Sequence, residues 1–224
     1  MVEIRIAKKL MGANDEIASG VRDLLREKKI TAVNVMGSPG SGKTTLLERL
    51  VAFSKGRWRV AVIEGDLETS RDAERMDRAG VRAVQVTTGK GCHLHAGMVQ
   101  DALSALEPDA LDLLYIENVG NLVCPSGFDL GEDFRIVVVS VTEGDDKAGK
   151  YPPMFARADL LVLNKIDLLP HVDFDVERFE TEAQEIQPKV DLFRISCRTG
   201  EGVDALAAKV AAAVAGKKGA GPER

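Results

Sequence analysis

Apolar residues recur along this chain with two different periods, and the alternation between the two predicts an architecture before any motif is read. Residues 14–29 set Ile17, Val21, Leu24 and Leu25 on one stripe among charges. That is the spacing of an amphipathic helix, with Asn14 or Asp15 placed to cap its start. Short apolar runs follow at 31–36, 59–63, 81–87, 112–119, 134–142, 159–163 and 190–196, each suited to a buried strand. Segments of helical length lie between most of them, at 43–53, 69–79, 93–106, 175–187 and 202–214. This rhythm predicts an α/β fold with a mainly parallel sheet covered by helices on both faces.

The interval 120–133 breaks the rhythm and is punctuated by Gly120, Pro125, Ser126, Gly127 and Gly131. Long loops of this kind inside compact domains are often functional. The reading divides the chain into a leading, peripheral helical segment (1–30), a main domain (31–214) and a disordered polar tail (215–224).

Composition narrows the picture only slightly. At 224 residues, 45% hydrophobic, the chain suffices for one core. A net charge of -5 disfavours a protein that coats nucleic acid or anionic membrane. No window reaches a membrane span of about 18 apolar residues, and the start lacks a signal-peptide pattern, so a cytoplasmic location is expected. Cys92, Cys124 and Cys197 form no disulfide framework and are expected as thiols.

Chemistry enters at Gly37-Ser38-Pro39-Gly40-Ser41-Gly42-Lys43-Thr44, which fits G-x-x-x-x-G-K-[ST] without mismatch, between a predicted strand and a predicted helix. The glycines let backbone N–H groups converge on phosphate oxygens, the helix adds its positive end, and Lys43 reaches the outer phosphates. Thr44 offers a hydroxyl to magnesium, and Thr45 continues the loop. Asn164-Lys165-Ile166-Asp167 follows the apolar Leu160-Leu161-Val162-Leu163 and so falls at the C-terminal end of a strand, where open parallel sheets bind ligands. A carboxylate at Asp167 accepts from both the ring N–H and the exocyclic amino group of guanine, and adenine offers no such pair. Lys165 can lay its stem on the base, and Asn164 can tie this loop to the phosphate loop. Ser196-Cys197-Arg198 after the last strand resembles the second base-side loop of GTPases, with Cys197 read as structural. GTP is therefore the expected nucleotide.

Two acidic residues end strands that should lie beside the phosphate loop: Asp66 in Glu64-Gly65-Asp66, and Glu117 in Glu117-Asn118-Val119-Gly120. Thr44, Asp66 and Glu117 form the expected Mg2+ set, an all-oxygen group suited to a hard cation; Asp66 could instead cap a helix. Gly120 can approach the terminal phosphate. No glutamine follows it to orient water, so intrinsic hydrolysis should be slow and activation is expected to need a second chain.

Gly91-Cys92-His93-Leu94-His95 adds softer donors. A thiolate beside an imidazole suits Zn2+ or Ni2+ rather than Mg2+. Cys124 supplies a third donor just beyond Gly120, which would couple metal binding to nucleotide state. The alternative is a buried thiol and a helix-start histidine.

Together the phosphate loop, Glu64-Gly65-Asp66, Gly91-Cys92-His93-Leu94, the run Ile116-Glu117-Asn118-Val119-Gly120-Asn121-Leu122-Val123-Cys124-Pro125, Thr142-Glu143-Gly144 and Asn164-Lys165-Ile166-Asp167 resemble the hydrogenase nickel-incorporation GTPases, the HypB family. The resemblance spans residues 10–214. It implies a P-loop NTPase fold of the SIMIBI type, a homodimer formed with nucleotide, and delivery of nickel to the large subunit of a nickel-iron hydrogenase, with maturation partner proteins. It further implies that Cys92, His93 and Cys124 hold Ni2+ or Zn2+ at the dimer interface. By the same resemblance, Lys147 or Lys150 enters the partner's active site; both could equally be solvated loop charges. His95 stands where many members have Asp. Missing here are the Cys-x-x-Cys-Gly-Cys run and the histidine-rich stretch of many members, so high-affinity nickel storage is not expected. Two other readings remain: a regulatory GTP-binding switch with structural cysteines, and a urease-type nickel-insertion GTPase, whose Cys-Pro-His motif this chain lacks.

Overall fold

The computed structural model describes residues 3–66, 76, 79–89 and 91–219, with side chains from residue 11 onward. Among the described residues, seven strands form one sheet: β1 (Thr31–Gly37), β2 (Val60–Asp66), β3 (Arg82–Thr87), β4 (Leu113–Glu117), β5 (Phe134–Ser140), β6 (Leu160–Asn164) and β7 (Asp191–Arg194). Every pairing is parallel, in the order β3-β2-β4-β1-β5-β6-β7. Each expected strand is present. Those read as 112–119, 134–142 and 190–196 are shorter than their apolar runs, because the chain turns into the site at Glu117, into a 3-10 turn at Val141–Glu143 and into the base-side loop after Arg194.

The helices are α1 (Glu3–Glu27), α2 (Lys43–Ser54), α3 (Ala96–Ala105), the short α4 (Lys147–Lys150) and α5 (Pro152–Phe155), α6 (Val176–Ile186) and α7 (Val203–Gly219). The expected helix at 69–79 lies almost wholly outside the described residues. Side chains alternate across a strand, so the sheet serves two cores. Val33, Val35, Tyr115 and Val138 meet Leu46 and Leu50 of α2 and Leu206 and Val210 of α7 on one face. On the other, Ala32, Leu114 and Ile116 meet Val21 and Leu25 of α1 and Val99 and Leu103 of α3, while Val137 and Leu161 pack with Phe155 and Phe179.

Three expectations at the ends are corrected. Asn14 and Asp15 do not cap α1, which begins at Glu3 and carries both residues inside it. Nor is the leading helix merely peripheral, since Ala18, Val21 and Leu25 are fully buried. The tail read as starting at 215 is helical through Gly219, continuing the alanine-rich α7; residues 220–224 lie outside the described chain. The interval 120–133 contains no strand and only the 3-10 turn Cys124–Gly127.

Candidate nucleotide and metal site

The C-terminal ends of β1, β2 and β4 converge on a cavity of about 530 Å³. It is lined by the phosphate loop from Pro39 to Thr45, by Gly65 and Asp66, by Glu117 to Gly120 and by Lys165. Gly40 and Gly42 hold left-handed φ values of +77° and +99°, which curl the loop at no steric cost, and the Ser41 amide between them donates to Ser38 O at 3.3 Å. The buried ammonium of Lys43 donates to the carbonyls of Gly37 (3.3 Å) and Ser38 (3.1 Å), folding it across its own loop.

The base-side elements adjoin this cavity. Gly42, Thr45, Arg49, Asn164, Lys165, Asp167, Leu168, Cys197 and Arg198 line a neighbouring pocket. Asn164, buried, donates to Ser41 O (2.9 Å) and accepts from the amides of Lys165 (2.7 Å) and Cys197 (3.2 Å). Lys165 is left-handed (φ 63°) and its ammonium reaches Gly40 O at 2.7 Å. Ser196 Oγ donates to Asp167 Oδ1 at 2.6 Å, orienting the carboxylate. Arg49 of α2 holds the last loop by donating to the carbonyls of Cys197 and Arg198. Burial pushes the Cys197 thiol up to about 11, so it stays protonated.

Thr44 Oγ1 donates to Glu117 Oε1 at 2.9 Å, and Asp66 lines the same cavity. The three oxygen-bearing side chains thus share one wall, a donor set that fits Mg2+. Gly120 crosses close to the phosphate loop, where an added Cβ would lie 3.0 Å from Pro39. The next residue, Asn121, bridges to β1 by donating its amide to Gly37 O at 3.1 Å.

Cys92, His93 and Cys124 come together from separate segments, with one donor atom from each within 4.8 Å of the others. Two thiolates and an imidazole fit Ni2+ or Zn2+. The His93 ring stacks on Phe128 at 3.9 Å between centroids. Burial and the nearby His95 lower the His93 pKa, favouring the neutral ring that a metal requires; hydrogen bonding with Cys124 and burial push the Cys92 thiol up. His95 is not in the cluster. It caps α3, accepting from Met98 N at 3.4 Å.

Sequence reading missed the residues that join these two sites. Thr88 donates its amide to Asp66 O (2.9 Å) and its hydroxyl to Gly91 O (2.6 Å), linking the end of β2 to the turn before Cys92. Asn118 Oδ1 accepts from Leu94 N at 3.0 Å, so the residue after Glu117 holds the residue after His93. Asn121 Oδ1 accepts from the amides of Val123 (2.7 Å) and Cys124 (3.3 Å). Glu143 accepts from Ser38 Oγ and from Ser140 N, tying Thr142-Glu143-Gly144 to the phosphate loop. The only local hint was small polar residues clustered at strand ends. Lys147 and Lys150 are not drawn into this cavity: Lys150 pairs with Asp146, and Lys147 lies over the Tyr151 ring.

An all-parallel sheet, a phosphate loop at the end of its central strand and an Asn-Lys-x-Asp base loop two strands away define a P-loop nucleotide-binding protein of the GTPase type. The profile of the CobW/HypB/UreG nucleotide-binding domain matches residues 31–194. Hydrogenase maturation factor HypB of Rhizobium leguminosarum bv. viciae is 49% identical over 203 residues, 91% of this chain and 68% of that protein. The crystal structure of HypB from Archaeoglobus fulgidus superposes with a TM-score of 0.85 at 41% identity, covering 91% of this chain and 99% of that one. HypB from Helicobacter pylori, solved in complex with nickel, gives 0.87 at 38% identity and covers 91% and 96%. The chain belongs to the HypB family.

Proposed function

We propose that this chain hydrolyses GTP and uses the nucleotide state to control a nickel or zinc site at a homodimer interface, in cytoplasmic maturation of a nickel-iron hydrogenase large subunit with partner proteins. The observation that carries the reading is the path joining the two sites: Glu117, Asn118, Gly120 and Cys124 belong to one segment, pinned to the phosphate loop at Gly37 and to Leu94 beside His93.

In this reading Gly37, Ser38, Gly40, Ser41, Gly42 and Thr45 cradle the phosphates, and Lys43 swings from its carbonyl partners onto the outer phosphates, where its charge offsets that developing on the transferring phosphoryl group. Asn164, Lys165, Asp167 and the Ser196-Cys197-Arg198 loop hold guanine. Thr44, Asp66 and Glu117 hold Mg2+, which supplies charge neutralisation on the phosphate oxygens when bound. Water attacks the terminal phosphorus and the bond to the bridging oxygen of GDP breaks, releasing inorganic phosphate. A Cβ at Gly120 would lie 3.0 Å from Pro39, so this segment reaches the phosphate loop closely only because it carries no side chain here. Loss of that phosphate relaxes residues 117–124 and with them Cys124, so the metal is bound in one nucleotide state and surrendered in the other.

Cys92, His93 and Cys124 from each of two chains would close a site that one chain leaves short of ligands. Lys147 or Lys150, at the two ends of the short helix α4, would supply a cation across the dimer. Helicobacter pylori HypB was crystallised with nickel, and the same cargo is proposed here. The decisive experiment measures nickel and zinc affinity and molecular mass with a non-hydrolysable GTP analogue and with GDP, for the wild type and Cys92→Ala. Equal metal affinity and equal mass in both states would overturn the coupling.

A further inference from the structure

Helix α1 has no part in the site just described, yet one of its side chains touches both metal-bearing loops. Asn14 is 7% exposed and sits on the apolar stripe that continues through Ala18, Val21 and Leu25. Its Oδ1 accepts from Ala96 N at 2.9 Å, at the start of α3 and three residues past His93. Its Nδ2 donates to Asp129 O at 2.8 Å, next to Phe128, the ring stacked on His93, and five residues past Cys124. A single amide therefore joins the Cys92-His93 loop to the Cys124 loop.

The neighbouring contacts follow the same plan. Arg22, two turns further along α1, grips the Asp129 carboxylate at 2.6 Å through both oxygens. Asp129 in turn accepts from Gly131 N at 2.8 Å, fixing the loop end. Met11 and Ile17 of α1 flank Asn14 and approach Gly127 and Gly97, where an added Cβ would lie 3.8 Å and 4.0 Å from their side chains. Burying an amide on an apolar helix face costs free energy unless both ends are satisfied. Here both are, by the main-chain N–H of Ala96 and the carbonyl of Asp129.

We infer that Asn14 is a positioning residue for the soft-metal site: it sets the separation of the two ligand-bearing loops, and α1 is the bar against which that separation is fixed. Residues that orient ligands without touching the metal typically control affinity by about 10- to 100-fold. The inference deepens the metal reading above but does not stand or fall with it, because the distance between the loops can be read with no metal present.

The test uses the full chain with GDP bound and compares the wild type with Asn14→Leu, Asn14→Asp and Arg22→Gln. Asn14→Leu is nearly isosteric and loses both bonds; Asn14→Asp keeps the acceptor for Ala96 N and loses the donor to Asp129 O. Arg22→Gln weakens the hold of α1 on Asp129 and leaves the amide in place. Metal-free protein is treated with a short bis-alkylating thiol reagent that spans Cys92 and Cys124, and nickel and zinc affinities are measured by competition with a chromogenic chelator. Nucleotide affinity and urea unfolding are followed in parallel.

The expected result is a lower Cys92–Cys124 cross-linking yield and roughly tenfold weaker metal binding in Asn14→Leu. A smaller loss of both is expected in Asn14→Asp, with nucleotide affinity unchanged throughout. Folded Asn14→Leu with unaltered cross-linking overturns the inference. So does an equal loss in Arg22→Gln, which would show that any loosening of α1 suffices. If Asn14→Leu does not fold, Asn14→Asp decides by the same criteria. Should the wild type bind neither metal while cross-linking still depends on Asn14, the metal reading fails and the positioning role stands.

Discussion

Asn164 Nδ2 donates to Ser41 O across 2.9 Å, so the strand that presents the base pocket is fastened directly to the loop that cradles phosphate. The two halves of the nucleotide site cannot drift apart independently. A Cβ added at Gly42 would lie 2.3 Å from that same Nδ2, at a φ of +99° that disfavours any side chain. Gly42→Ala should therefore break the fastening as well as strain the loop, costing about 1–3 kcal/mol of stability. Thermal unfolding and nucleotide titration check this. Wild-type affinity and stability together would show that the clamp is dispensable.

Asp167 is held by Ser196 Oγ at 2.6 Å with its carboxylate at the pocket wall. Asp167→Asn replaces an acceptor with an amide that must face guanine's own amino group. GTP affinity should fall by about 2–4 kcal/mol, roughly 30- to 1000-fold. Xanthosine triphosphate, which carries a carbonyl in place of that amino group, should bind the variant better than GTP does. A variant that still prefers GTP would mean that another residue reads the base.

The backbone at Cys124 is held by Asn121 Oδ1, which accepts from the main-chain N–H groups of Val123 and Cys124. Cys124→Ser should leave the loop and nucleotide affinity intact while weakening nickel or zinc binding by about 100-fold or more, beyond the loss of a merely supporting residue. Chelator competition with and without a GTP analogue is the measurement, and undiminished metal affinity would remove Cys124 from the ligand set.

Far from the site, Asp112 accepts from the Arg59 guanidinium and main-chain N–H and from Lys218, which hold its carboxyl well below the usual carboxylate range. A group whose pKa is depressed by folding contributes stability above its unfolded value of about 3.9 and loses it progressively as pH falls below that. Asp112→Asn should lower stability at neutral pH and flatten the acid limb of a pH series of urea unfolding. Parallel curves for both proteins would assign acid unfolding to other carboxylates.

The parts legible in the sequence were those with local causes. Seven strands announced themselves as short apolar runs, and the phosphate and base loops as residue types fixed by the ligand they meet. Asn14 was not legible as a joining residue, because its partners Ala96 and Asp129 are 82 and 115 residues away. Its polarity suggested a helix cap, while the helical residues before it carry α1 straight through. The one available sign was a polar residue at an apolar position of the stripe. Asn118, Asn121 and Thr88 were hidden for a different reason: the bonds by which they join the two sites go to main-chain groups, which no residue type reveals.

The bridge from Asn121 N to Gly37 O is made of backbone atoms alone, and so is indifferent to which side chains the segment carries. Substitution at the exposed Val123 leaves this bridge in place, whereas Leu122 is buried in the core with Met36 and helps to seat the stretch. On the function proposed above, the donor at position 124 could be exchanged while the docking of this segment on the phosphate loop is kept.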